Sequence, residues 1–563
     1  MDASVEKPSG PADMEVSSDK LFCCRGVRNK VPLTYREELY HILRMTGPLL
    51  LSRILNFMLP FVVTMFCGRL GNDVMAGYGL ASATINVSTA ATGTGLALAC
   101  DTLVSQTFGG KNLLRVGVIL QRGIIILLLF CLPCWGLLIN AEAILLCLGQ
   151  DREVAVFLHH LQVSYLQNQG IILPQMYTAA LANIANVVTN YIFLYWLDLD
   201  VGGSAAAHTL AWIYICAFLF VYIWWKKLHV STWGGWSAES LQEWGSFMKL
   251  AIPSTLMTCF EWWVYEFGGF FAGMLGEDEL AAQHAVIMVA FITYMFPLGV
   301  QAAACARVGN ALGAGDTDRA ILSAKLSLAL AGLFLGATKT IIGFIFTSDE
   351  KIVALVSQLM NAYCFLQFFD GLCVCTGIFL GTGKQKIPAV ANLIGYYCIG
   401  LSLSITLMFV VKLGVLGFWL GLLICVVLQS TFYIIVIFKL NWKRMTDETY
   451  MTALGMDVVS DIGQTSSNGN SVDGYTPVST KCQATQDEHV DHDPKSSHLS
   501  ITQLIIRRGL TMFAAVGLLA VGVGVYFLVP LPEMIPANST MDRINSTDTP
   551  DQISTTVLVT LGR

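Results

Sequence analysis

Apolar runs long enough to cross a hydrocarbon core recur along the chain, one crossing needing about 20 helical residues. They lie near 45–67, 74–98, 117–139, 174–196 and 204–225, and again near 248–272, 280–304, 320–346, 352–380, 388–411 and 415–438. A shorter run at 153–169 falls inside the first set, and Met512 to Pro530 stands alone near the end. The pattern predicts an all-α polytopic membrane protein with two six-helix lobes and one further helix. Its expected parts are a cytoplasmic tail (1–40), an N-lobe (41–235), a C-lobe (236–440), a disordered cytoplasmic loop (441–508), a thirteenth helix (509–530) and an extracellular tail (531–563). The loop is assigned from its Ser, Thr, Asn and Gly content, which cannot bury enough apolar surface to offset ordering entropy.

The two sets of helices repeat one another. Pro253 follows Pro48 by 253 − 48 = 205 residues, and Gly273-Met274-Leu275-Gly276 follows Gly68-Arg69-Leu70-Gly71 by 273 − 68 = 205. Two same-direction copies of an even helix number predict a parallel repeat, with a pathway between the halves and sites near mid-membrane. The repeat also shows a gap. Asp349 to Pro388 is 388 − 349 = 39 positions, whereas the matching Asp151 to Pro174 is 174 − 151 = 23. The fourth helix is therefore expected to have lost about 16 residues, since 39 − 23 = 16, and its remnant at 153–169 is either a short tilted crossing or a defective one.

Composition reinforces the membrane reading. The chain is 55% hydrophobic and 13% charged, against about 25% charged in soluble domains. With 33 basic and 39 acidic residues the net charge is −6, which excludes a basic surface that could track a phosphate backbone. The Cys residues are dispersed through apolar runs, and the one C-x-x-C, Cys131 to Cys134, has no second pair or nearby His for zinc. No phosphate loop is visible, because Gln385 stands where a Ser or Thr is required after Gly383-Lys384. No ATP, metal or other cofactor is expected, and no enzyme is expected either.

Lys and Arg occupy the N-terminal tail, which carries no signal peptide, and every second loop: Lys111 and Arg115, Lys226 and Lys227, Arg307 and Arg319, Lys384 and Lys386. The positive-inside bias then places the N-terminus in the cytoplasm and, after thirteen crossings, the C-terminus outside. Asn538-Ser539-Thr540 and Asn545-Ser546-Thr547 agree, being N-glycosylation acceptors in that tail. A plasma-membrane location is expected.

Ionisable residues inside a span are functional candidates by default. Three carboxylates qualify: Glu261 and Glu266 on the seventh helix and Asp370 on the tenth. The first half carries the neutral Asn56 where the second carries Glu261, since 261 − 205 = 56. In Glu261-Trp262-Trp263-Val264-Tyr265-Glu266, the helical step brings Tyr265 near the azimuth of Glu261 and Trp262 near that of Glu266, while the two carboxylates point apart. A carboxylate beside an aromatic ring suits an amphipathic cation. The alternative is that the Trp residues face lipid and one Glu is a structural hydrogen-bond acceptor. Gln121, Arg122, Asp101, Asn183, Asn186 and Asn190 are expected to make interhelical hydrogen bonds.

Several motifs resemble those of multidrug and toxin extrusion (MATE) proteins, most nearly the vertebrate branch with a thirteenth helix. They are Cys100-Asp101-Thr102-Leu103-Val104-Ser105-Gln106, Val116-Gly117-Val118-Ile119-Leu120-Gln121-Arg122, Glu261-Trp262-Trp263, Arg307-Val308-Gly309-Asn310-Ala311-Leu312-Gly313-Ala314-Gly315 and Ile394-Gly395-Tyr396-Tyr397. The likeness covers about residues 33–444. It implies exchange of organic cations and drugs against protons by alternating access, with roles for Glu261, Glu266 and Asp370. Met288 stands where those vertebrate relatives carry a further glutamate and Gln367 where they carry a histidine. Two other readings compete: a non-transporting splice or gene-model variant, suggested by the gap in the fourth helix, and a lipid-linked substrate flippase, which would favour a cationic groove over these carboxylates.

Overall fold

The computed structural model describes residues 32–70, 85–138, 143–197, 199–338, 374–454 and 500–528, with a few positions between 359 and 369. Every regular element among them is helical. In chain order they are α1 (Leu33–Leu70), α2 (Ala91–Gly109, entered through a π turn at Asn86–Ala90), α3 (Leu113–Leu138), α4 (Ala143–Gln167), α5 (Leu173–Tyr191) and α6 (Asp200–Trp225). There follow α7 (Trp244–Leu275), α8 (Glu277–Gly313), α9 (Thr317–Thr338), α10 (Val374–Gly381), α11 (Lys386–Asn392) and α12 (Val415–Lys439), then α13 (Trp442–Leu454) and α14 (Ile501–Leu528). From α11 the chain runs on through π-helical and α-helical turns to Val410. Seven of these stretches are long and apolar enough to cross a membrane by length and composition.

Helices α1 to α6 pack among themselves, as do α7 to α12, and the two groups meet where α1 crosses α8 and α9 and where α2 crosses α7, α8 and α10. Small residues set that approach. A Cβ on Gly313 would lie 1.8 Å from the Gln106 carbonyl oxygen, and one on Gly109 would lie 2.1 Å from that of Asn310. The backbones of α2 and α8 thus touch near the turn that carries Lys111 and the first turns of α3 and α9, which carry Arg115 and Arg319.

Three expectations change. The fourth helix is α4, 25 residues from Ala143 to Gln167, or about 37 Å at 1.5 Å per residue, rather than a remnant at 153–169. It recruits the apolar stretch that follows α3 in sequence, so the missing residues do not leave a short helix. The segment expected to be disordered from 441 onward begins with the helix α13, whose Met445, Thr446 and Ala453 are buried. An exposed Arg444–Glu448 pair at 2.7 Å, one turn apart, braces it. The last helix starts at Ile501, before the expected 509. Asp370, Asn538 and Asn545 lie outside the described residues.

Candidate functional site

Pro253 sits inside α7, eight residues before Glu261 since 261 − 253 = 8. A proline there removes a backbone donor and loosens the helix below the carboxylate. Glu261 is partly accessible yet surrounded by protein, as a residue facing an internal cleft is. The Tyr294 hydroxyl, on α8, donates to Glu261 Oε1 at 2.6 Å. A charge-assisted bond of this kind contributes about 1.5–3 kcal/mol.

Glu261 opens into a pocket between α7, the tenth segment, α11 and α12. Phe369, Tyr396 and Tyr433 supply aromatic surface, while Thr376, Asn392, Gln429 and Ser430 supply neutral polar atoms. No Lys or Arg lines it among the described residues, so nothing there neutralises the carboxylate. The floor is a tied network. Tyr433 OH donates to Asn392 Oδ1 at 2.6 Å, Gln429 Nε2 donates to Tyr433 OH at 2.8 Å, and Gln429 also bonds Asn392 Oδ1. Asn392 Nδ2 in turn donates to the Met257 carbonyl on α7 at 2.9 Å, one turn from Glu261. Past Asn392 the chain takes π-helical turns from Leu393 to Leu401, a local widening often found at functional sites.

The other sequence candidates fall elsewhere. Glu266, Trp262 and Tyr265 do not line this pocket. Trp262 is 39% exposed, Tyr265 packs its ring 6.4 Å from that of Trp419, and Glu266 is half-buried with no hydrogen bond among the described residues. Trp263 ties α7 to the start of α2, donating from Nε1 to the Val87 carbonyl at 3.0 Å. Of the tenth-helix pair, Asp370 is not described, but its neighbour Phe369 is a wall of the Glu261 pocket. Gln367 is buried and accepts from Tyr363 OH.

Tyr294, Asn392, Gln429 and Tyr433 were not marked by the sequence. Each is a single polar residue in an apolar run, and only their convergence distinguishes them. Two of the expected interhelical bonds join α5 to α1, Asn183 Nδ2 to Leu55 O at 2.8 Å and Asn186 Nδ2 to Leu59 O at 3.2 Å. Gln121 Nε2 and Arg122 instead reach the segment before α7, at Gly235 O and Glu243, and Asn190 Nδ2 bonds Asn186 within α5. Asp101 Oδ1 accepts from Ser164 Oγ and Asn168 Nδ2, both at 2.7 Å.

The profile of the MatE family matches residues 48–192 and again 253–406. The two matches start 253 − 48 = 205 residues apart, the offset of the internal repeat. The chain is 46% identical over 558 residues to multidrug and toxin extrusion protein 1 of Danio rerio, covering 91% of this chain and 94% of that one. It is 41% identical over 572 residues to the Homo sapiens protein of the same name, covering 93% and 100%. Among solved structures, the eukaryotic MATE transporter AtDTX14 superposes with a TM-score of 0.69 at 23% identity, covering 75% of this chain and 100% of that one. The Vibrio cholerae MATE transporter VcmN superposes at 0.64 and 16% identity, covering 73% and 100%.

Proposed function

The chain belongs to the multidrug and toxin extrusion family, whose members are membrane transporters and not enzymes, and on that premise we propose that it exports organic cations in exchange for protons. The two lobes, 41–235 and 236–440, alternate access to a site in the second lobe, with the N-terminus in the cytoplasm of a plasma-membrane protein and the C-terminus outside. One observation carries the reading: Glu261, with no Lys or Arg lining its pocket among the described residues, faces walls formed by Phe369, Tyr396 and Tyr433. A carboxylate with aromatic walls attracts an organic cation by charge and by cation–π contact.

Exchange follows from competition for one group. With a cation bound, Glu261 is ionised and Tyr294 OH steadies it. A proton arriving from outside removes the charge, so the cation's main attraction is lost and it leaves. The neutral carboxylic acid returns the proton inside. Asp370, next to the pocket wall Phe369, and Glu266 are proposed as further proton or cation groups, with Trp262 and Tyr265 as aromatic support. The test is uptake of tetraethylammonium into vesicles under an imposed pH gradient. Uptake should reverse direction when the gradient is reversed, and uptake indifferent to the gradient would refute proton exchange.

At 25 residues α4 has the length of a crossing. Asp151, Arg152 and Glu153 interrupt its apolar stretch, however, and it is not among the seven described helices both long and apolar enough to span. The competing reading of a non-transporting variant therefore stands beside this one.

A further inference from the structure

Helix α13 has no part in the Glu261 pocket, yet it touches both lobes at once. Its start belongs to the second lobe. Asn441 caps it, Oδ1 accepting from Arg444 N at 3.1 Å, and Trp442 Nε1 donates to the Ile437 carbonyl at the end of α12 at 3.2 Å. Its middle rests on the turn between α8 and α9. Thr317 Oγ1 donates to Thr446 Oγ1 at 2.9 Å, and the Tyr450 ring lies over Gly315, where an added Cβ would be 3.3 Å from Cδ2.

The last turn of α13 crosses to the first lobe. Arg115 Nη1 donates to the Thr452 carbonyl at 3.1 Å and Asn112 Nδ2 to the Ala453 carbonyl at 3.4 Å. Carbonyls at a helix end have no partner within the helix, and a cation beside them is favoured by the helix dipole. Ala453 is buried against the turn between α2 and α3, since a Cβ on Gly110 would lie 2.7 Å from its own Cβ. Arg115 also pairs with Glu243 at 3.5 Å, and Arg122 with the same carboxylate at 3.3 Å, on the residue that precedes α7. The catch for α13 is thus tied to the segment that joins the two lobes. The two holds are unequal. The second lobe keeps α13 by chain continuity, an aromatic anchor and side-chain contacts, whereas the first lobe holds only main-chain carbonyls and one methyl group.

We infer that α13 is a strap of the second lobe that latches onto the first on the side where α2 and α8 touch. When that side opens, α13 lets go of Gly110, Asn112 and Arg115 and stays with Gly315 and Thr317. A contact made in only one of two conformations shifts the population toward it, so the strap sets how readily this side opens. The inference rests on the alternating access proposed above and is independent of which ions are exchanged.

The test uses full-length protein in lipid nanodiscs, where reagents reach both faces. Thr446→Cys and Ala453→Cys are labelled separately with a charged maleimide, and mass spectrometry of the labelled peptide distinguishes each from the native cysteines. Both positions are buried, and only position 453 loses its cover when the lobes part, so Ala453→Cys should react about tenfold faster or more. Equal rates at the two positions would overturn the inference, slow ones showing a fixed brace and fast ones a helix anchored to neither lobe. A second arm closes the latch. Gly110→Cys with Ala453→Cys is oxidised by copper phenanthroline, which takes up two electrons and two protons from the thiols as one S–S bond forms. In proteoliposomes the linked form should take up tetraethylammonium about tenfold more slowly or worse, as when a conformational step limits turnover, and dithiothreitol should restore uptake. Each single variant should be indifferent to the oxidant. Linked protein that transports as the reduced form does would overturn the inference. Should the wild type take up no tetraethylammonium, the organic-cation reading fails and the labelling rates still decide the strap. Should the double variant not fold, Asn112→Ala in the Ala453→Cys background weakens the latch and should raise the labelling rate severalfold, an unchanged rate refuting it.

Discussion

Glu38 and Arg307 form a two-point ion pair across the interface between the two helical groups. Arg307 Nε donates to Glu38 Oε1 at 2.8 Å and Nη2 to Oε2 at 2.6 Å. Ser323 Oγ adds a bond to Oε1 at 2.7 Å and Arg319 Nε one to Oε2 at 3.2 Å. One carboxylate on α1 thus fastens α8 and α9. The Glu38 side chain is 4% exposed, so its charge is stable only while the two arginines remain.

Removing that charge strands both arginines. Breaking a buried pair from one side costs about 3–5 kcal/mol. Glu38→Gln should therefore fall near the lower end, because Arg319 is half exposed and regains water. The measurement is the unfolding midpoint of purified protein. Glu38→Gln combined with Arg307→Gln should lose less than the sum of the two single variants, as interacting residues do; additive losses would show that the pair is not coupled.

The contact of α2 with α8 depends on glycine. A methyl group on Gly313 would sit 1.8 Å from a backbone oxygen of Gln106, which no side-chain rotation can relieve. Gly313→Ala should separate the helices and lower the unfolding midpoint by several degrees, with an overpacking loss of about 1–3 kcal/mol. Gly273→Ala is the control, since its added Cβ would meet only the tip of Leu280 at 4.0 Å, and it should change the midpoint little.

Hydropathy and the 205-residue offset made the helices and their repeat legible, because a bilayer demands long apolar stretches whatever their partners. Glu261 was legible for the converse reason, a charge where apolar residues belong. The Glu261 pocket was not. Tyr294, Asn392, Gln429 and Tyr433 come from three separate helices, and no spacing in the sequence announces that they converge. The start of α4 was hidden by Asp151, Arg152 and Glu153, which break an apolar window but not a helix. In α13, burial of only one face left a composition that looked like a solvated loop.

Topology supplies a third prediction. If α4 crosses the membrane along with the other helices, thirteen crossings put Asn538 and Asn545 in the lumen during synthesis. A glycosidase-sensitive mass shift should then appear and vanish in the double Asn→Gln variant. A C-terminal epitope that antibodies reach only after permeabilisation would instead put the tail on the cytoplasmic side and require an even number of crossings.

Coupling supplies the last. Glu261→Gln keeps the shape of the side chain and can still accept from Tyr294, but it cannot titrate. Uptake of tetraethylammonium should collapse, and what remains should no longer respond to an imposed pH gradient, while surface expression persists. Tyr294→Phe removes one bond to the carboxylate and leaves its charge, so it should weaken uptake about tenfold or more, within the range of a charged hydrogen bond, and preserve the response to pH. Asp370→Asn tests whether the residue beside Phe369 serves the same pocket. If it does, Glu261→Gln with Asp370→Asn should be little worse than either alone, because residues acting as a unit are non-additive. Near-normal, gradient-driven uptake by surface-expressed Glu261→Gln would remove this residue from the mechanism and leave Glu266 and Asp370 to carry the proton.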